Sequence, residues 1–273
     1  MSFFKHLKDR FRRDRVTLQL DDIQALILRS RPEPYVGIHA MLHVDEAEGG
    51  RDLIAHERAK LAEVRAERQR GLDAWFAEKA GEWDLVSKLG GQEREVEEAL
   101  AAAARVPSVG RLLDIGTGTG LVLGLLAAEA ESAFGIDRSP EMLRLARAKL
   151  SEGGRQLAEL RHADMLQLPF EDGSFDTVTL VQVLHFADDP AAVVAEAERV
   201  LAPGGKLLIA EFAPHNHEEL RERFHHARLG FDEVTVLHWL DSAGLSPRVV
   251  SRHPGTRLQV HVTEGRKGGL PAN

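Results

Sequence analysis

Along the central part of the chain the apolar positions switch repeatedly between two spacings, and that switching predicts the architecture. Short apolar runs at Arg111–Ile115, Ser132–Ile136, Leu157–His162, Phe175–Val181 and Lys206–Phe212 read as buried strands. Between them, Thr119–Ala130, Pro140–Leu150 and Asp189–Leu201 carry helical spacing. Ser139 is placed to cap the second of these helices, with Pro140 at its first helical position. Strands alternating with helices in this rhythm predict an α/β fold, a parallel sheet covered on both faces. Right-handed crossovers then gather the carboxyl ends of the strands along one edge.

Upstream of residue 91 the pattern loses this regularity. Leu53, Leu61, Val64, Leu72, Trp75 and Phe76 mark an intermittent apolar face on a long charged helix, so residues 53–90 are expected to be a helical lead-in. Gly49-Gly50 is the natural boundary before it, and residues 1–52 form an N-terminal extension with no assigned fold. Its first fifteen residues carry six Lys or Arg against two Asp, with Phe3, Phe4, Leu7 and Phe11 on one helical face. Such a segment either lies weakly on an anionic membrane or a protein partner, or packs its Phe stripe on its own domain. Residues 91–264 are the main domain, and residues 265–273 are expected to be a flexible tail.

Composition narrows the options. The chain has 273 residues, 43% of them hydrophobic and 29% charged, without a run long enough to span a bilayer and without a signal-peptide layout. A cytoplasmic location is the expectation. Absence of cysteine removes disulfides, thiolate metal sites and cysteine nucleophiles. A formal charge of -8 argues against a nucleic-acid partner for the whole protein.

The chemistry begins where the first strand ends, at Asp114-Ile115-Gly116-Thr117-Gly118-Thr119-Gly120. Glycines spaced two apart suit a backbone that turns sharply and lets a ligand come close. A dinucleotide fingerprint wants G-x-G-x-x-G, but here the third glycine comes one residue early and Leu121 stands where that fingerprint needs Gly or Ala. Asp114, two residues before the first glycine, would repel a pyrophosphate, yet it suits a ligand with ammonium and sulfonium charges. The spacing therefore favours S-adenosylmethionine over NAD. Asp137, seventeen positions after Gly120, has two readings. It either accepts hydrogen bonds from ribose hydroxyls or is a helix-start acid favoured by the dipole; its distance from the glycine loop favours the ribose role.

Five motifs follow in order: Asp114 to Gly120, Gly135 to Leu143, Ala163 to Phe170, Gly173 to Val178 and Arg199 to Gly205. Together they resemble class I S-adenosylmethionine-dependent methyltransferases of the methyltransferase type 11, UbiE-like branch, over roughly residues 110–212. Leu61 to Trp83, Leu229-Gly230-Phe231 and Gly244-Leu245 extend the resemblance to the methyltransferase half of proteins that fuse an ArsR-type repressor to a methyltransferase. No helix-turn-helix pattern is present in residues 1–52, so the winged-helix half is missing. The resemblance implies a Rossmann-like seven-stranded sheet, its last strands near Pro247–Ser251 and Arg257–Val262, the final one inserted antiparallel. It also implies a cofactor set of Asp114, Gly116, Thr117, Gly118, Gly120, Asp137, Arg138 and Gln182, with Asp164 at the adenine amino group and Met142 and Met165 on the adenine faces. Met142 is as readily a core residue of its helix.

The acceptor side is less determined. Methyl transfer by in-line displacement relies on alignment, and a base is required only when the acceptor must lose a proton. Gln182, His185, Glu211, His215 and His217 follow the fourth and fifth strands. His185 either serves as catalytic base or begins the next helix and bonds locally. The spacing of His215, His217, His225 and His226 fits no familiar zinc pattern, so no metal is expected. A small-molecule acceptor is the expected partner, and a homodimer stays open as the assembly. The alternative function is a non-catalytic module that senses S-adenosylmethionine or its demethylated product through a partner.

Overall fold

The computed structural model describes residues 50–80, 91–151 and 158–269. The basic face of residues 1–15, the unassigned stretch up to residue 49, residues 81–90 of the lead-in and the last four residues lie outside them. Residues from Lys60 onward form one compact unit, and of the unit before it only residues 50–59, the start of helix α1 (Gly50–Lys79), are described. Helix α1 thus runs across the expected boundary at residue 52. No helix among the described residues is long and apolar enough to cross a membrane.

Helix α2 (Glu93–Ala104) comes next and was not foreseen, although its Val96, Leu100 and Ala103 recur at helical spacing and are buried. Two contacts seat it. Gln92 Nε2 donates to Leu258 O at 2.9 Å at its start, and the buried Lys206 ammonium bonds the carbonyls of Ala104, Val106 and Ser108 at its end. A cation there also suits the negative end of the helix dipole.

The sheet then builds as predicted: β1 (Arg111–Ile115), α3 (Leu121–Leu126), β2 (Ser132–Asp137), α4 (Pro140–Leu150), β3 (Glu159–His162), β4 (Phe175–Val181), α5 (Pro190–Val200) and β5 (Leu201–Phe212). Helices α6 (Glu218–Phe224) and α7 (Glu233–Ser242) and strands β6 (Leu245–Pro254) and β7 (Gln259–Lys267) complete it. The strand order is β3-β2-β1-β4-β5-β7-β6, and β7 runs antiparallel to both its neighbours. This is the mostly parallel seven-stranded sheet expected, with its last strand inserted.

Apolar residues alternate across the sheet. Leu112 joins a cluster with Leu100, Leu123 and Leu126 on one face, while Leu113 and Ile115 join Val193, Val194 and Leu240 on the other. Helices start where the sequence supplies acceptors: Ser139 Oγ takes the Met142 N–H at 3.3 Å, and Asp189 Oδ1 takes that of Ala192 at 3.1 Å. Two expectations need correction. Helix α3 starts at Leu121 because Gly120, at φ +81°, is left-handed and cannot belong to a right-handed helix. The tail does not begin at residue 265, because Gly265, Arg266 and Lys267 pair with β6 and Gly265 fits closely against Leu240 and Leu245.

Candidate functional site

From β1 the chain builds outward to β2 and β3 on one side and to β4 and β5 on the other. Where the direction reverses, no crossover covers the strand ends and a crevice opens. A cavity of about 260 Å³ lies there, at the carboxyl ends of β1, β2 and β4.

The turn after β1 forms its base. Gly116, Gly118 and Gly120 have φ of +70°, +54° and +81°, a region where a Cβ is strained. Their second purpose differs from the ligand clearance expected of them. A Cβ on Gly116 would overlap Val183 Cγ2, so this glycine lets the segment after β4 close onto the turn. A Cβ on Gly120 would lie 3.2 Å from Ala146 Cβ and 3.3 Å from Leu150 Cδ1, so Gly120 serves the packing of α4 and is absent from the cavity wall. It thus stands apart from the other glycines of the expected cofactor set. Gly116, Thr117 and Gly118 remain in the wall.

Asp137 ends β2 beside them. Its Oδ2 accepts the Gly118 N–H at 2.9 Å and its Oδ1 accepts the Ser139 N–H at 2.8 Å. Backbone donors on both oxygens orient the carboxylate and leave it the capacity to accept from a vicinal diol. Burial raises its pKa above the usual carboxylate range, opposed by the N–H groups of Ser139 and Gly118. Asp114, 2% exposed, accepts from Thr179 Oγ1 at 2.7 Å, a residue paired with it across β4. Burial pushes its pKa up to about 6, more than the hydrogen bond from Thr179 pulls it down.

Asp164 lies at the far side. Its Oδ1 takes the Leu166 N–H at 2.9 Å, and its Oδ2 takes Arg138 Nη1 at 3.1 Å. Arg138 Nε also lies 3.5 Å from Asp73 of α1, so the guanidinium ties that helix to the loop after β3. Met142 and Met165 both border the cavity; Met142, at 1% exposure, is a core residue of α4 as well. Gln182 also lines the wall, with a left-handed backbone at φ +50° and its N–H on Ala210 O at 2.8 Å.

His185 is the main correction. It is 2% exposed and outside the cavity lining, its Nδ1 3.0 Å from both carboxylate oxygens of Glu211 and its ring stacked on His226 at 4.0 Å. A base must reach the proton it removes. Here the neighbours Val183 and Phe186 face the cavity instead. His226 is buried too and His215 half-buried, and desolvation lowers their pKa to about 2 and about 4.

Sequence reasoning missed the cover. Gln69, Leu72, Asp73 and Phe76 of α1 and Glu93 and Glu97 of α2 also line the cavity. Phe76 meets Phe186 edge-on at 5.1 Å, and Arg68 pairs with Asp188. Leu72 and Phe76 stood on the apolar face of the lead-in, but nothing local shows that this face covers a ligand site.

The site fits S-adenosylmethionine on its own chemistry. It offers an oriented carboxylate for two hydroxyls, apolar methionines for a purine, and the acids Asp114 and Asp137 beside the glycine turn where a cationic methionine group would lie. A Rossmann-like sheet with such a crevice defines a class of nucleoside-binding folds, and the comparisons narrow it. Residues 113–209 match the methyltransferase domain family. The demethylmenaquinone methyltransferase of Thermus thermophilus is 38% identical over 148 residues, 51% of this chain and 64% of that protein. The ubiquinone/menaquinone biosynthesis C-methyltransferase UbiE of Geobacter sp. is 31% identical over 168 residues, 59% of this chain and 71% of that protein. Among solved structures, the magnesium protoporphyrin IX methyltransferase of Synechocystis, with bound SAH, superposes with a TM-score of 0.53 at 18% identity, covering 64% of this chain and 84% of that one. The chain spans 59–64% of the length of three of the curated relatives it matches, the Thermus protein among them. It belongs to the class I S-adenosylmethionine-dependent methyltransferases, whose family cofactor is S-adenosylmethionine.

Proposed function

We propose that the protein transfers a methyl group from S-adenosylmethionine to a small-molecule acceptor by in-line displacement. The observation that carries this reading is Asp137, held by the backbone N–H groups of Gly118 and Ser139 at the strand end beside the glycine turn. When bound, the sulfonium supplies a methyl carbon already activated for attack. The chain's own part is then alignment and exclusion of water. Asp137 orients the ribose, Asp164 accepts from the adenine amino group, and Asp114 lies where positive charge is favoured. Phe76, Phe186 and Leu72 form the apolar cover under which an acceptor is held. Relatives named for demethylmenaquinone act on an acceptor with a ring, and an aromatic cover of this kind suits a planar ring.

Titration calorimetry with S-adenosylmethionine, S-adenosylhomocysteine and NAD tests the cofactor, followed by mass-spectrometric detection of methylated product over ring-bearing acceptors. Both sulfur cofactors should bind and NAD should not. Binding of NAD without S-adenosylmethionine would overturn the reading, and tight binding with no turnover on any acceptor would make the protein a sensor instead.

A further inference from the structure

The cavity wall after β4 is a segment whose backbone works against itself. Gln182 is left-handed at φ +50°, one of two non-glycine residues so placed among those described, the other being His225. Holding a β-carbon there is strained and persists only when neighbours enforce it. The next residue, Val183, fills the space left by Gly116, and Phe186 carries the contact to α1.

What enforces it lies behind the wall. Glu211, 3% exposed on β5, receives four hydrogen-bond contacts: the Leu184 N–H at 3.2 Å, the Phe212 N–H at 3.2 Å, and His185 Nδ1 at 3.0 Å to each oxygen. Against a carboxylate that ring nitrogen donates. The His185 carbonyl in turn accepts from Ala227 and Arg228 at 2.8 and 3.2 Å, fastening the stretch between α6 and α7. A carboxylate buried among apolar residues is expensive to keep, and an apolar pair of similar volume would serve packing at least as well. What it adds is direction: a directional bond fixes where Gln182, Val183 and Phe186 stand.

We propose that His185 and Glu211 are a positioning pair, which fixes the wall at residues 182–188 from behind and thereby sets cofactor affinity, touching neither cofactor nor acceptor. The inference rests on the cofactor reading above. Two substitutions at His185 separate position from packing. His185→Asn keeps an N–H donor near the Nδ1 position but loses the ring, whereas His185→Phe keeps the ring stack and loses the donor.

In calorimetric titration of the full chain with S-adenosylmethionine, the Asn variant should stay within about threefold of the parent. The Phe variant should bind about tenfold or more weakly, as should Glu211→Gln, which keeps volume but reverses part of the hydrogen-bonding polarity. Thermal unfolding of each variant reports its fold, and Glu211→Gln keeps the test open where a His185 variant does not fold. The opposite ranking, with Phe intact and Asn weakened, would make the role one of packing and overturn the proposal, as would three unchanged affinities. A parent chain without affinity would overturn the cofactor reading and this inference with it.

Discussion

At the cofactor end of the cavity, Asp137 finds its partners at Ser139, two residues on, and at Gly118, nineteen residues back, one strand-turn-helix unit away. At the other end, His185 reaches Glu211 across 26 residues and Phe76 reaches Phe186 from a helix upstream of the whole sheet. The first end is made of backbone donors and short acids on strand ends, whose geometry the sheet dictates. The second is made of side chains brought together by tertiary packing. In the function proposed above, cofactor recognition rests on the sheet and its turns, and the choice of acceptor on the elements laid over them.

The largest expected effect breaks the cofactor end alone. Asp137→Ala removes acceptors for two hydroxyls and should weaken S-adenosylmethionine binding by at least about 100-fold in calorimetry. An affinity close to the parent's would move the ribose away from Asp137. Next comes the charge at the same end. Asp114 has a usual pKa of 3.8 and a folded value of about 6, so between these pH values the fold holds a proton that the unfolded chain has released. Stability then falls as pH rises through that window, by roughly 3 kcal/mol, and a bound cation that favours the ionised form should bind more tightly above it. Urea unfolding across the window should show this slope in the parent and lose it in Asp114→Asn; an unchanged slope would assign it to other groups.

A third substitution tests whether the ends are independent. Gly116→Ala places a Cβ against Val183 and should destabilise the fold by about 2 kcal/mol, part of which Val183→Ala should restore because the overlap is removed but the left-handed backbone is not. Strict additivity in thermal unfolding would show that the two ends do not meet at this joint. The smallest effect is at the wall itself. Gln182→Gly should raise stability by about 1 kcal/mol by relieving φ +50°, while weakening the cofactor by freeing the segment. A loss of stability would show that the Gln182 side chain contributes more than its backbone strains.

The same contrast explains what could be read in advance. The alternation of strands and helices and the acids at residues 114 and 137 follow from short-range patterns, whereas the inserted final strand and the place of Asp164 are implied by the family resemblance. His185 was legible as a residue past a strand end but not as one turned inward, because its partner Glu211 belongs to the next strand and Gln182 reverses the backbone between them. Gly120 looked equivalent to Gly116 and Gly118 in a regular triplet, yet its neighbour is α4 rather than the cavity. Helix α2 carries an ordinary amphipathic signal, whereas its seat on Lys206, about a hundred residues away, leaves no local trace.

Strand β7 carries a further consequence. It pairs with β5 along seven positions and with β6 along nine, and it is the later of its two neighbours' common partner in the chain. During synthesis, β6 emerges with no strand to join and β5 with one edge bare until residues 259–267 leave the ribosome. β6 therefore joins the sheet only once β7 is available, and a nascent chain halted before that point leaves β5 and β6 with edges exposed to their surroundings.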